Sequence, residues 1–374
     1  MLIHHDSTRS YEAAASDAAK NARDKLEALI AKGRDRAAKV YEQVHTQVPR
    51  DRIAPARALE VSVDEAEHPG ELVVQVGRDA APETLHPHAR NQLAERAGIP
   101  RAYVEGLLEK GDWGKRLLAH NFGEILQRDT SKALVRSVGP QVRGVLSDRY
   151  RRLDSRPVFD AFCESASELG AVPVEGYALE TKVAIKALVA NVFEPVPHEV
   201  LAFGCCLSNS DFGNGALSVS LFILRLACTN YAIAETPLRQ VHLGKRLEEN
   251  ITFSQKTYEL DTAATVSAVG DIVRAQLEPG KLASVCEAVK AAHEEKVSPY
   301  QISAFLAKHA TKAEAKEITD VFSSADVVNV PAGQSRWRLS NACSWIAGKT
   351  TNEERRLELM KVAGDALKLD AATA

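Results

Sequence analysis

The chain has 374 residues, 45% of them hydrophobic, and a formal net charge of −3. A chain of this length can bury a substantial core in about two domains, and so small a net charge excludes a uniformly basic nucleic-acid coat. The longest apolar stretch, residues 216–228, is interrupted by Arg225 and is too short to span a bilayer. Because the N-terminus also lacks a signal-peptide pattern, we expect a cytoplasmic protein without a membrane partner.

Residues 1–56 predict a helical arm. Apolar or small residues recur in residues 10–48 at alternating spacings of four and three, and the series is Leu26, Ile30, Gly33, Ala37, Val40 and Val44. So narrow a stripe needs a partner, which is either the rest of the chain or a second subunit. Gly33 and Ala37 bury little surface, which favours a packed helix over a coiled coil. We predict a homo-oligomer that uses this arm, with packing inside one chain as the alternative.

Residues 57–127 predict a mostly helical region, with a short strand in residues 71–77. Within this region, residues 88–108 have the spacing of a helix-turn-helix, with Gly98 at the turn. The second helix offers few side chains that could read bases. Two ordinarily packed helices are therefore the alternative.

Residues 128–260 predict an α+β core. Two short strands, residues 134–138 and 142–147, precede a helix over residues 154–169. Residues 177–187 alternate like one long strand, with Lys182 and Lys186 on its polar face. These elements predict an antiparallel β-sheet with a helix packed on one face, flanked by the N-terminal arm and by a C-terminal helical region, residues 261–374.

Residues 199–230 predict a β-hairpin with a polar, glycine-rich tip between two long apolar strands. Polar residues follow the apolar strands of this segment, where backbone groups need partners. We predict that three of them form a structural hydrogen-bonding cluster, namely Arg225, Asn230 and His242.

Several segments resemble phage/plasmid-like proteins, the family of the domain of unknown function nine-thirty-two. The resemblance rests on RGVLSDRYRRLD (residues 143–154), SNSDFG, LRLACTN, His242 and WRLSNACSWIA (residues 337–347). It implies a mobile genetic element as the setting and, through looser similarity, a relation to phage single-strand annealing proteins. It assigns no role to any residue.

The segment from Arg128 to Arg152 is locally basic, with seven arginines or lysines against Asp129 and Asp148. Local clustering of charge, more than the total, attracts phosphates. Together with the two lysines of the predicted polar face, the segment predicts a nucleic-acid-binding surface. Its expected contact residues are Arg136, Arg143, Arg149, Arg151, Arg152, Lys182 and Lys186.

Enzyme signatures are weak in this sequence. The run Gly348-Lys349-Thr350 resembles the end of a P-loop, but Cys343 stands where the first glycine should be. No spacing predicts a metal or another cofactor. The sequence therefore favours a single-stranded DNA-binding or annealing protein in recombination or replication. The alternatives are a duplex-binding regulator that uses residues 88–108, and a nuclease that uses Asp148, Asp154 and Glu180.

Overall fold

The computed structural model describes residues 17–227, 230–240, 254–324, 327 and 330–369. Two mainly antiparallel sheets combine with helices that include N- and C-terminal ones, which confirms the predicted α+β class. The helices are α1 (Asp17–Thr46), α2 (Pro87–Arg96), α3 (Arg101–Leu108), α4 (Asp112–Leu126), α5 (Ser155–Glu168), α6 (Gln255–Leu277), α7 (Pro279–Glu294), α8 (Pro299–His309), α9 (Lys312–Ser323), α10 (Arg336–Lys349) and α11 (Glu353–Ala366).

The strands are β1 (Arg50–Pro55), β2 (Leu59–Val63), β3 (Leu72–Val76), β4 (Glu83–Leu85), β5 (Lys132–Val138), β6 (Gln141–Ser147), β7 (Ala171–Ala178), β8 (Val183–Val189), β9 (Phe193–Val196), β10 (Glu199–Asn209), β11 (Leu217–Arg225) and β12 (Asn230–Gln240). Among the residues that the structure describes, no helix is long and apolar enough to cross a membrane.

The first sheet has the strand order β1-β5-β6-β4-β3-β2, and only β4 and β6 run parallel. Helices α2 to α4 cover one of its faces with buried residues such as Leu93, Val104 and Phe122. Strands β5 and β6 were predicted as part of the 128–260 core, but they pair with β1 and β4. The predicted division at residue 128 therefore separates strands that share one sheet.

The second sheet has the order β12-β11-β10-β8-β7, with β9 added beside β10. Its β10–β11 hairpin has the predicted position, and Cys205 pairs with Leu221 at its centre. Helices α5 to α7 bury one face of this sheet, and α8 to α11 bury the other. The sequence predicted a helix on one face of the sheet, but the C-terminal helices also cover the other face, on which Lys186 lies.

The alternating residues 177–187 do not form one strand. They are divided between β7 and β8 by a turn, in which the Leu179 amide donates to the Lys182 carbonyl at 2.8 Å. Alternation continues through the turn because both flanking strands have a period of two. Lys182 consequently lies in the turn, whereas Lys186 lies on β8 and is buried.

Helix α1 packs along β7, an edge strand of the second sheet. Its stripe is buried between the two cores of this sheet: Leu26 and Ile30 belong to one, and Val40 and Val44 to the other. Gly33 lies so close to β7 that a Cβ atom there would be 2.0 Å from the Val174 carbonyl oxygen. The stripe thus packs against its own chain, which was the alternative to packing between subunits. The homo-oligomer stays a prediction.

Replacement of Gly33 by alanine should therefore destabilise the protein. At an exposed position inside a helix, alanine is more favourable than glycine by about 1 kcal/mol. Here the collision with the Val174 backbone should outweigh that gain and lower the free energy of unfolding by about 1–3 kcal/mol. Gly123 is a matched control, since a Cβ atom there would meet no atom within 4 Å. Urea denaturation should show Gly33→Ala less stable and Gly123→Ala at least as stable as wild type. Equal stability of both variants would contradict the close packing.

Candidate nucleic-acid interface

Arg136, a predicted nucleic-acid contact, is 1% exposed. Its guanidinium donates to the carboxylates of Asp51 (2.7 Å) and Asp154 (2.5 Å) and to the carbonyl of Asp211 (2.5 Å). Burial by itself would lower the pKa of Arg136, but the charges of Asp154 and Asp51 outweigh it and raise that pKa. The guanidinium is therefore charged and engaged inside the protein.

The hairpin tip between β10 and β11 docks on this arginine. The Asp211 carboxylate accepts from the amide and the hydroxyl of Ser155, both at 2.6 Å, and so it satisfies the first turn of α5. His88 and Gln92 of α2 hold the Phe212 carbonyl at 2.9 and 2.8 Å. Desolvation, reinforced by the charge of Asp154, raises the pKa of Asp211 to about 6. The tip thereby joins the two sheets.

The other predicted contacts on the 128–152 segment are mostly engaged as well. Arg143 is buried and donates to Gln47 at 2.6 Å and to the Glu180 carbonyl at 3.1 Å. Arg151 donates to Asp261 of α6 at 2.6 Å, and Arg152 lies 3.3 Å from Asp51, which it shares with Arg136. Arg149 is partly buried.

The two lysines are separated. Lys182 lines a small cleft together with Arg143 and lies 3.3 Å from the Glu354 carboxylate. Lys186 is buried under α11, where its ammonium lies 2.9 Å from Glu175 and 4.2 Å from the centre of the Tyr231 ring. The structure thus groups Arg136 with Arg152, and Arg143 with Lys182, but it does not form one exposed surface from the predicted set.

The predicted structural cluster is described in part. Arg225 is buried and forms a two-contact ion pair with Glu199, at 2.5 and 2.8 Å. The indole of Trp337 also donates to Glu199, at 3.1 Å. Asn230 pairs with Arg225 in the backbone register of β11 and β12, whereas His242 lies outside the described residues. Arg225 is thus held in a structural role, through two partners that the sequence did not reveal.

A different surface gathers more positive than negative charge. We call it the basic groove: a cavity of about 850 Å³ between α1, the end of β11 and helices α10 and α11. Its cationic side chains are Lys25, Lys32, Arg36, Lys349 and Arg356, and among the described residues that line it the only carboxylate is that of Glu175. Trp345 and Tyr231 add aromatic rings to the lining.

The carboxylate of the basic groove is already neutralised. Glu175 lies 2.9 Å from Lys186 and 3.4 Å from Arg356. Burial would raise the pKa of Glu175, but the charge of Lys186 and its hydrogen bond outweigh this effect and lower it. Lys25, Lys32, Arg36 and Lys349 are exposed. Four solvated cations therefore surround a site in which the one described carboxylate, Glu175, is already paired with Lys186 and Arg356.

Sequence reasoning missed this groove, although one signal was present. Lys25, Lys32 and Arg36 recur at spacings of seven and four, which places them on one face of α1. The wall opposite, with Trp345 and Lys349 at the end of α10, lies over three hundred positions further along the chain. Only the fold brings these walls together.

The two alternative functions gain little from the geometry. Helices α2 and α3 are joined at Gly98, whose φ is 65°, as the helix-turn-helix pattern predicts. On α3, however, Arg101 is paired with Glu105 at 2.7 Å. Asp154 and Glu180 are engaged by Arg136 and by His86, respectively. Within the described part of the chain, no group of three or more His, Cys, Asp and Glu side chains could hold a metal ion.

Comparisons of the chain with protein-family models, with curated proteins and with solved structures found no match. The resemblance to phage/plasmid-like proteins stays a prediction. Functional inference consequently depends on the fold and on the geometry of the basic groove.

The raised pKa of Asp211 predicts a specific pH dependence. A folded pKa of about 6 against 3.8 for an ordinary Asp means that this group stabilises the fold fully only below pH 3.8, and that its contribution disappears as the pH rises through about 6. Asp211→Asn keeps an acceptor for Ser155 without this titration. Between about pH 4 and pH 7, urea denaturation should show the variant gaining roughly 2–3 kcal/mol relative to wild type. Exposed Asp24→Asn is the control, and a pH-independent difference for Asp211→Asn would contradict the assignment.

Arg136→Met should be strongly destabilising. It keeps a long apolar stem but leaves Asp51 and Asp154 without their buried cation, so we expect a loss of about 3–5 kcal/mol in the free energy of unfolding. Arg34→Met, on the exposed face of α1, should change stability by about 0.5 kcal/mol or less. A stable Arg136→Met protein with weakened DNA binding would instead support a phosphate-contact role for Arg136.

Proposed function

We propose that the protein binds single-stranded nucleic acid, with DNA favoured, by holding the phosphate backbone in the basic groove. The observation that carries this proposal is the charge of the described lining, in which four cations are exposed and the one carboxylate, Glu175, is already paired with Lys186 and Arg356. A polyanion that enters the groove releases its counterions, and it meets Lys25 and Lys32 exposed and, within the described part of the chain, in no ion pair that it would have to displace. The seven positions predicted from sequence would mostly have to break such pairs first.

The shape and chemistry of the groove favour a single strand. A concave site between helices can admit an extended strand, whereas duplex reading needs an element that projects into the major groove. The Trp345 ring is partly exposed, and the Lys349 ammonium lies over it at 5.0 Å from the ring centre. Such a ring offers a surface on which a base can stack, and the lysine can contact the neighbouring phosphate. Lysines and stacking carry little sequence preference, so binding should tolerate most sequences.

A role in recombination or replication, including strand annealing, remains part of the proposal, as do the cytoplasmic location and a homo-oligomer that would align successive grooves. The resemblance to phage/plasmid-like proteins supports the setting. The geometry that supports nucleic-acid binding is that of the basic groove, because residues 25–36 of its α1 wall belong to one continuous helix.

The test is fluorescence anisotropy with a labelled oligothymidylate of about 30 nucleotides and a matched duplex, at two salt concentrations. Lys25→Ala/Lys32→Ala should weaken single-strand binding and make the slope of log affinity against log salt shallower by about one unit, since each lost phosphate contact changes it by about 0.7. Arg34→Ala/Lys39→Ala is the matched control, because these residues are exposed on the same helix but do not line the groove.

Three outcomes would count against the proposal. They are no affinity of wild type for either oligonucleotide at low salt, equal weakening by the control pair, and preference for the duplex. A further pair, Arg151→Ala/Arg152→Ala, compares the two surfaces directly. If this pair alone makes the salt slope shallower, the central segment and not the basic groove is the binding surface.

A further inference from the structure

A second cavity has a different character. We call it the helical cavity: about 1110 Å³ between α8, α9, residues 330–338 and the ends of β10 and β11. Its volume lies slightly above the range of about 300–1,000 Å³ that is typical of small-molecule sites. None of the residues that line it also lines the basic groove.

The walls of the helical cavity are largely apolar. Ile302 and Leu306 project from α8, Phe322 from α9, and Val330 from the segment that follows. All four are buried within the chain yet border the cavity. An apolar body placed in the cavity would remove from water the hydrocarbon surface of its exposed apolar members, such as Pro299, Ala307 and Ala332, at about 25 cal/mol for each Å² buried.

The polar groups at the inner end are already bonded. The Glu199 carboxylate takes two contacts from Arg225 and one from Trp337. The Arg338 guanidinium donates to the carbonyls of Phe322 (2.6 Å) and Ser324 (2.5 Å) at the end of α9, a position that also favours positive charge at a helix C-terminus. A ligand therefore need not supply a partner for these groups.

The charge of the lining selects the sign of the ligand. The lining contains four cations, Arg225, Lys312, Lys316 and Arg338, and two carboxylates, Glu199 and Asp320. Glu199 pairs with Arg225, and Asp320 pairs with Lys316 at 2.9 Å. Among the described residues of the lining, no further carboxylate opposes the positive charges of Arg338, inside, and of exposed Lys312, on α9.

We propose that the helical cavity binds an amphipathic small molecule with one negative charge and a long apolar body, of the class of long-chain carboxylates. The apolar body would lie between α8 and α9, and the carboxylate would face Lys312. This activity is separate from the binding of nucleic acid, and neither proposal depends on the other.

The test uses the full chain and the fluorescent probe dansylaminoundecanoic acid. Wild type should bind one molecule per chain with a saturable rise in emission; palmitate should displace the probe, and a cationic amphiphile of similar length should not. Ala307→Trp should fill the cavity from an exposed position of α8. We expect it to lower the affinity for the probe about tenfold or more, and tenfold corresponds to about 1.4 kcal/mol of binding free energy. Ala313→Trp is the control, because Ala313 is exposed on α9 and does not line the cavity.

Circular dichroism of both variants should match wild type, and if Ala307→Trp misfolds, Ser303→Phe, from the adjacent exposed turn of α8, replaces it. The absence of saturable binding to wild type would overturn the proposal, as would equal affinity of the filled and control variants.

Sedimentation velocity provides a further check. A wild-type dimer that Ala307→Trp converts to a monomer would show that a second chain, and not a small molecule, occupies the cavity.

Discussion

The buried guanidinium of Arg136 determines how the two sheets are joined. Removing a full charge from water costs several kcal/mol, so such a group persists only where its surroundings supply matched acceptors. Here the acceptors come from β1 through Asp51, from the residue before α5 through Asp154, and from the hairpin tip through Asp211. One side chain therefore fixes three segments of the chain, and the alternative arrangements would leave it unpaired.

The same logic explains why local charge density along the sequence does not show which cations stay unpaired in the fold. Residues 128–152 are rich in arginine, but their acceptors, Asp51 and Asp261, lie far away in sequence and become visible only when the chain is folded. The exposed cations that α1 contributes to the basic groove face other helices. These helices add another lysine, Lys349, and among the described lining residues they add no carboxylate. A count of charges along the sequence records abundance, whereas binding depends on which charges stay unpaired.

The features of the fold that could be predicted are those that depend on interactions between residues close in sequence. Helix α5 spans Ser155–Glu168 where the sequence predicts a helix over residues 154–169, and the β10–β11 hairpin follows from its apolar strands and glycine-rich tip. The strand β4, with three residues, is too short for a periodic signal. The covering of the second sheet by α8 to α11 depends on long-range packing, and it buries Lys186, which alternation alone had placed on a polar face.

The two candidate sites share elements, since they lie near opposite ends of α10 and at adjacent residues at the end of β11. Helix α10 lines the helical cavity with Arg338 near its start and the basic groove with Trp345 and Lys349 near its end. At the end of β11, Arg225 borders the cavity while the next residue, Leu226, borders the groove. Well-packed elements of this kind move as units, so a ligand that shifts α10 at one end displaces the other end too. Any coupling that passes along α10 or β11 must be reciprocal: an amphiphile that strengthens nucleic-acid binding would itself be bound more tightly by the protein–nucleic acid complex.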